Sequence, residues 1–147
     1  MNPNFEAIGK AFTEQYYKLF DSNRGELKIF YRDDSMLTFE GVQMQGAATI
    51  MEKLLSLKFQ TVQHVVTTGD CQPTSDYGIL VHVIGQLKTD NDQPHSFSQT
   101  FCLKRDPASP ENYYCFNDIF RLSLHHGWGS WKDKTTKTYH MLIVKIV

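Results

Sequence analysis

The sequence is poor in cysteine, and the spacing of its cysteines argues against the usual cysteine-rich sites. Cys71, Cys102 and Cys115 are the three cysteines among 147 residues. An odd number without close pairing is not typical of a disulfide framework or of a zinc site. Two of the three lie in apolar, strand-like stretches, where buried free thiols are ordinary. We therefore expect free thiols in a reducing compartment, and we predict no metal and no other cofactor.

Long apolar runs, a leader sequence and a strong net charge are also lacking. No apolar run reaches the roughly 20 residues that a membrane-spanning helix needs. The first four residues have neither the charged nor the apolar region of a signal peptide. The formal net charge is −1, which argues against nucleic-acid binding by the whole chain. The sequence thus predicts a protein of the cytosol or nucleus that binds neither membranes nor nucleic acids.

The small net charge conceals an uneven distribution. Residues 1–127 carry 11 Lys and Arg against 15 Asp and Glu, whereas residues 128–147 carry four Lys and one Asp. The composition changes at Gly127–Ser130, where glycines flank a tryptophan. We predict one domain over 1–127 and a basic C-terminal extension over 128–147 with no assigned role. The positive charge of the extension could compete for an acidic surface, and its end, Tyr139–Val147, has strand propensity.

The first part of the chain has helical periodicity. Apolar residues between 3 and 20 recur every three or four positions, with charged residues on another face. Asn2 is the expected N-cap, with Pro3 at the first helical position. A short helix should carry Leu27, Phe30 and Tyr31, and a strand-like run covers Met36–Glu40. A third helix is predicted from about Ala47 to Leu57.

From Gln60 onward the period changes to two, which predicts strands. Four strands are expected, at about 60–71, 78–89, 95–105 and 113–124. The turn-rich breaks between them suit hairpins, so the strands should pair antiparallel. Helices early and strands late are typical of an α+β fold with helices packed on one face of a sheet.

The predicted strand at 78–89 is apolar on both of its faces. One alternation carries Ile79, Val81 and Val83, and the other carries Leu80 and Ile84. An antiparallel sheet with one solvated face would show polar residues on one alternation. Three helices can cover one face, and a second subunit is the expected cover for the other, which predicts a homodimer.

Carboxylates lie at two predicted strand ends. Glu40 ends one strand, and Asp90 and Asp92 follow another. If these ends converge, the carboxylates would attract a basic partner. The alternative is that they are ordinary turn and strand-end residues. Apolar residues nearby could line a pocket or simply belong to the core: Phe39, Leu57, Phe59 and Leu87.

Four other side chains invite an enzymatic interpretation. A histidine or aspartate inside a cavity between sheet and helices could act as a general base. The candidates are His64, His82, Asp70 and Asp118. No nucleophile elbow, metal motif or phosphate loop accompanies them. We therefore predict that the chain is not an enzyme.

Six stretches span nearly every predicted element: AFTEQYYKLFDSNR, SMLTFEG, QMQGAATIMEKLLSLKFQTVQH, DCQPTSDYGILVHVIGQLKTDNDQP, FSQTFCLK and YYCFNDIFRLSLH. In order and spacing they resemble the nuclear transport factor 2 family over about residues 5–126, with RDPASPENY as an inserted loop. The resemblance implies a cone-shaped NTF2-like fold, in which three helices pack on a strongly bent antiparallel sheet, and a homodimer formed through the sheets.

The resemblance also implies binding partners and the residues that meet them. Members bind the GTPase Ran in its GDP-bound form. An aromatic side chain of Ran enters the mouth of the cone, and basic residues of Ran contact acidic residues of the family member. The matching acidic positions are Glu40, Asp90 and Asp92. The matching rim positions are Phe39, Leu57, Phe59, Leu87, Phe120 and Leu122. Phe5 matches the aromatic of the first helix that contacts the phenylalanine-glycine (FG) repeats of nucleoporins.

These matches imply a carrier that takes GDP-bound Ran through the nuclear pore, found in cytoplasm, nucleus and nuclear envelope. Many members have Trp at positions 5 and 39, so pocket depth and affinity are expected to differ here. Isomerase- or dehydratase-like enzymes share the cone, as do adaptors of messenger-RNA export and stress granules. The stretches SMLTFEG and KTDND favour the Ran carrier over the adaptors. Residues 128–147 have no counterpart in the family.

Overall fold

The computed structural model describes residues 1–123 and 145–146, and these form an α+β fold. Two α-helices and one 3-10 helix precede or interrupt the strands: α1 is Phe5–Ser22, the 3-10 helix is Arg24–Phe30 and α2 is Ala47–Leu55. The strands are β1 Met36–Phe39, β2 Val42–Gln45, β3 Val62–Pro73, β4 Ile79–Thr89, β5 His95–Asp106 and β6 Ser109–Leu122. The three helices and the four long strands agree with the sequence prediction.

The six strands form one sheet in the order β2-β1-β6-β5-β4-β3. The four long strands pair antiparallel through successive hairpins, as predicted. The prediction of a purely antiparallel sheet is wrong in one place, because β1 pairs with β6 in parallel. A parallel pair needs a long crossover connection, and here the chain from β2 to β5 lies between the two strands. The sheet is therefore mixed, and β1 adds its short hairpin to the edge of β6.

Local turn chemistry explains the other differences from the prediction. The helix α1 begins at Phe5 rather than at Pro3, because the Asn2 side chain accepts a hydrogen bond from the Asn4 N–H at 2.8 Å and forms a turn ahead of the helix. The missed strand β2 follows a tight turn at Glu40 and Gly41, whose φ angles are +49° and +85°. Such a turn with two positive φ angles is the preferred two-residue hairpin connection.

One face of the sheet carries the core. Along β4, burial alternates at every residue, and Ile79, Val81, Val83 and Leu87 are at most 3% exposed beneath the helices. The opposite face leaves large apolar side chains exposed in the single chain. They are Val65, Leu80, Ile84 and Ile119, each 38–55% exposed. Both alternations of this strand are apolar as predicted, and its outer face is open in the isolated subunit.

No helix within residues 1–123 or at 145–146 is long and apolar enough to cross a membrane. Over the same residues, no group of three or more acidic, histidine or cysteine side chains is placed to hold a metal ion. The cysteines of this region, Cys71, Cys102 and Cys115, are free.

Candidate functional site

An apolar pocket opens between the end of α1, the β1 hairpin, the segment after α2 and the strands β3–β6. Its lining contains five residues predicted as rim positions: Phe39, Leu57, Phe59, Leu87 and Phe120. They come from four separate stretches of the chain and are all buried. The pocket is therefore assembled by long-range contacts rather than by one local motif.

The parallel pairing of β1 with β6 places two aromatic rings on the pocket wall. Phe39 lies directly opposite Phe120 in the register. Their rings stack with centroids 4.7 Å apart and planes inclined by 12°. Phe97 from β5 stacks behind Phe120 at 5.7 Å. Neighbouring side chains on one sheet face interact in this way, and here they make a flat apolar wall.

The turn after β4 holds one part of an acidic rim. Asp90 adopts φ +50°, and its Oδ1 accepts hydrogen bonds from the backbone N–H groups of Thr61 at 2.9 Å and Gln60 at 3.0 Å. The Thr61 N–H, followed by the ammonium of Lys145, lowers the pKa of Asp90 to about 2. Asp92 lies two residues on, and its Oδ2 accepts a hydrogen bond from Thr89 Oγ1 at 3.3 Å. The Asp90 carboxylate is thus held by backbone N–H groups and the Asp92 carboxylate by the Thr89 hydroxyl, both near the end of the strand that carries Leu87.

Glu40 holds another part of the rim, at the tip of the β1–β2 hairpin. It directly follows the pocket residue Phe39, and its N–H donates to the carbonyl of Phe120 at 3.1 Å. Its carboxylate Oε1 accepts a hydrogen bond from the Leu122 N–H. The side chain of Leu122 is buried, but it is not among the described residues that line the pocket. Leu122 therefore takes part in the site by orienting Glu40 through its backbone.

Four lining residues were not predicted as rim positions, and three of them belong to the domain over 1–127. Phe20 belongs to the aromatic stripe of α1, and its spacing of four from Tyr16 could have revealed it. His64 is held by Asp21, whose Oδ1 lies 2.6 Å from the His64 Nδ1 and whose Oδ2 accepts from the His64 N–H at 2.9 Å. Gln99 is a buried polar residue on β5, and no local pattern distinguishes it from an exposed strand residue.

Two residues of the C-terminal extension also lie at this site. Ile146 is 1% exposed and lines the pocket, and Lys145 Nζ contacts both rim aspartates. Their backbone is helical rather than extended, so the predicted strand does not hold for these two residues. The remainder of Tyr139–Val147 lies outside the described residues.

The four candidate catalytic residues do not lie together in one site. Asp118 is buried and bonded to Tyr31 Oη at 2.7 Å and to Gln99 Nε2 at 2.8 Å. His82 is exposed and bonds to Thr100. Asp70 lines a different cleft, of about 460 Å³, between α1 and β3. His64 is engaged by Asp21 as described above. Of the four, only His64 is among the described residues that line the apolar pocket, where its ring is paired with Asp21.

Asp118 nevertheless makes a testable contribution to stability. Burial raises its pKa to about 6, against about 3.8 in an unfolded chain. The folded state thus retains a proton between these values that the unfolded state releases, and stability falls as the pH rises. In the unmodified chain, this proton should make the free energy of unfolding fall by up to about 3 kcal/mol between pH 4 and pH 7. We expect this decrease to be absent in Asp118→Asn. Urea denaturation across this range measures it. Asp70 is exposed, so Asp70→Asn is the control and should keep the pH dependence of the unmodified chain. If the free energy of unfolding varies equally with pH in Asp118→Asn and in the unmodified chain, Asp118 is not the group responsible.

Phe5 is the first residue of α1 and is half-buried against the core. Its neighbour Glu6 lines the cleft between α1 and β3, together with Lys10 and Val66. The prediction that Phe5 contacts nucleoporin repeats stays a prediction.

A family model described as "Nuclear transport factor 2 (NTF2) domain" matches residues 8–122. Nuclear transport factor 2 of Candida glabrata is 53% identical over 125 residues, which are 84% of this chain and 98% of the relative. The structure of nuclear transport factor 2 from Cryptosporidium parvum superposes with a TM-score of 0.80 at 44% identity, and the match covers 84% of this chain and 98% of that one. The match to the family model ends before the C-terminal extension.

Enzymes share the fold at much lower similarity. A scytalone dehydratase homologue from Novosphingobium aromaticivorans superposes with a TM-score of 0.65 at 11% identity, covering 80% of this chain and 85% of the other. A likeness at this level reports the shape of the backbone and says nothing about chemistry.

Proposed function

The chain belongs to the nuclear transport factor 2 family, and we propose that it carries the GDP-bound form of the GTPase Ran through the nuclear pore into the nucleus. Its relatives are named as transport factors rather than as enzymes. In this proposal the chain binds Ran at the apolar pocket, docks on nucleoporins through their FG repeats, and works in the cytoplasm, the nucleus and the nuclear envelope.

The observation that carries the proposal is the convergence of an apolar pocket with carboxylates from two strand ends. Phe39, Leu57, Phe59, Leu87 and Phe120 line one cavity. Glu40 follows the first of these residues, and Asp90 and Asp92 follow the strand of Leu87. An aromatic side chain flanked by basic residues has the complementary chemistry, because the ring can fill the pocket while the cations meet the rim.

The exposed outer face of the sheet supports a homodimer as the working form. Leu80 and Ile84 on β4 and Ile119 on β6 are exposed on this face in the isolated chain. Exposed apolar side chains grouped on one face are typical of a protein–protein interface. A two-fold pair of such sheets buries the same patch on both subunits. Each subunit would then keep its own pocket, and a dimer would bind two Ran molecules.

Selectivity for the nucleotide state tests the proposal. Immobilised full-length chain is incubated with Ran loaded with GDP, and in parallel with Ran loaded with a non-hydrolysable GTP analogue. We expect capture of the GDP-bound form only. Equal capture of both forms would contradict a role as an import carrier of GDP-bound Ran.

A further inference from the structure

The apolar pocket is already filled by part of the chain itself. Ile146 lines it beside Phe39, Phe59 and Leu87, and only about 10 Å³ of free space remains there. A space of this size is at the lower limit for a single water molecule. The side chain of Ile146 is also 1% exposed.

The residue before it engages the acidic rim. Lys145 Nζ lies 2.7 Å from Asp92 Oδ2 and 3.0 Å from Asp90 Oδ2, so one ammonium group bridges both carboxylates. The side chains of Lys145, Asp90 and Asp92 are each 19–27% exposed, which leaves the ion pairs open to screening by salt. The backbone is held as well, because the Lys58 N–H donates to the Lys145 carbonyl at 2.9 Å.

We propose that Lys145 and Ile146 act as an internal competitor that occupies the pocket and must leave before a partner can bind. The pair offers a cation next to an apolar side chain. That is the same chemistry that the pocket and rim would require of Ran, so this competition rests on the proposed function. One apolar side chain and one partly exposed cation are a small contact, and a partner with a larger interface can displace them.

The first experiment tests occupancy without Ran. The full-length chain is labelled at the isoleucine δ1-methyl groups, and the signal of Ile146 is identified by its loss in Ile146→Val. A methyl group packed among aromatic rings should be shifted well upfield of its random-coil position. In Lys145→Gln it should move toward that position, more so than in the matched exposed control Lys28→Gln. A random-coil position in the unmodified chain overturns the proposal, and so does a shift that depends on protein concentration, which would place a second copy in the pocket.

The second experiment tests competition by calorimetry with GDP-loaded Ran. Ile146→Asp should bind about tenfold more tightly than the unmodified chain, as expected if about one molecule in ten has an open pocket. Ile29→Asp changes an exposed isoleucine outside the pocket and is the matched control, with unchanged affinity. Equal affinities of Ile146→Asp and the unmodified chain overturn the competition. If no variant binds Ran while the Ile146 methyl signal is shifted, the proposed function fails and the occupancy stands.

Discussion

Replacing Phe101 by alanine should lower the free energy of unfolding by about 3–5 kcal/mol, the range typical of a large aromatic removed from a core. Phe101 lies on β5, is fully buried and packs against three aromatic rings of α1. Its ring meets Tyr16 at 4.9 Å and Phe12 at 5.1 Å, both in edge-to-face geometry. The substitution removes these contacts and leaves a cavity between helix and sheet that the rigid strands cannot close.

Urea denaturation at fixed protein concentration measures this effect, since unfolding of the proposed dimer would depend on concentration. The control is Ile29→Ala, because Ile29 is 44% exposed. Ile29→Ala should lower the free energy of unfolding by less than about 1 kcal/mol. Comparable losses in the free energy of unfolding for the two variants would show that Phe101 is not central to the packing of the core.

Replacing Glu40 by lysine should abolish binding of GDP-loaded Ran and leave the dimer intact. A basic residue of the partner would then face a cation instead of a carboxylate, a reversal that costs several kcal/mol. The substitution also removes the acceptor of the Leu122 N–H, so local stability must be separated from recognition. Glu40→Gln separates them, because it keeps an acceptor of the same length and removes only the charge.

Calorimetry with GDP-loaded Ran checks this prediction, and analytical ultracentrifugation follows the dimer. The expected order of affinity is unmodified chain, then Glu40→Gln, with no detectable binding for Glu40→Lys. Unchanged affinity of Glu40→Lys would remove Glu40 from the interface. A monomeric Glu40→Lys chain would instead indicate a structural effect.

Most of the fold follows from local patterns in the sequence. The long strands could be predicted because their apolar residues alternate and turn residues bound them, as at β4 and β5. The parallel pairing of β1 with β6 could not, because a four-residue strand carries no information about which distant edge it joins. The start of α1 was missed because the Asn2 side chain competes with helix capping.

The site was predictable only in part, and for similar reasons. Phe39 and Leu87 could be selected as candidates, but their convergence depends on tertiary contacts between β1, β6 and β4. The roles of Leu122 and Gln99 arise from a backbone hydrogen bond and from burial, which no spacing reveals. For Ile146, the strand propensity of the end of the extension did not indicate the pocket, where the structure places this side chain.

The most direct test of the account is a calorimetric titration of GDP-loaded Ran into the full-length chain and into Ile146→Asp. We expect saturable binding with one Ran per subunit in both, with higher affinity in the variant. The heat of binding should be lost when Glu40→Lys is added to either. Absence of binding even in Ile146→Asp, where the pocket is open, would contradict the assignment of this pocket and its acidic rim as the Ran site.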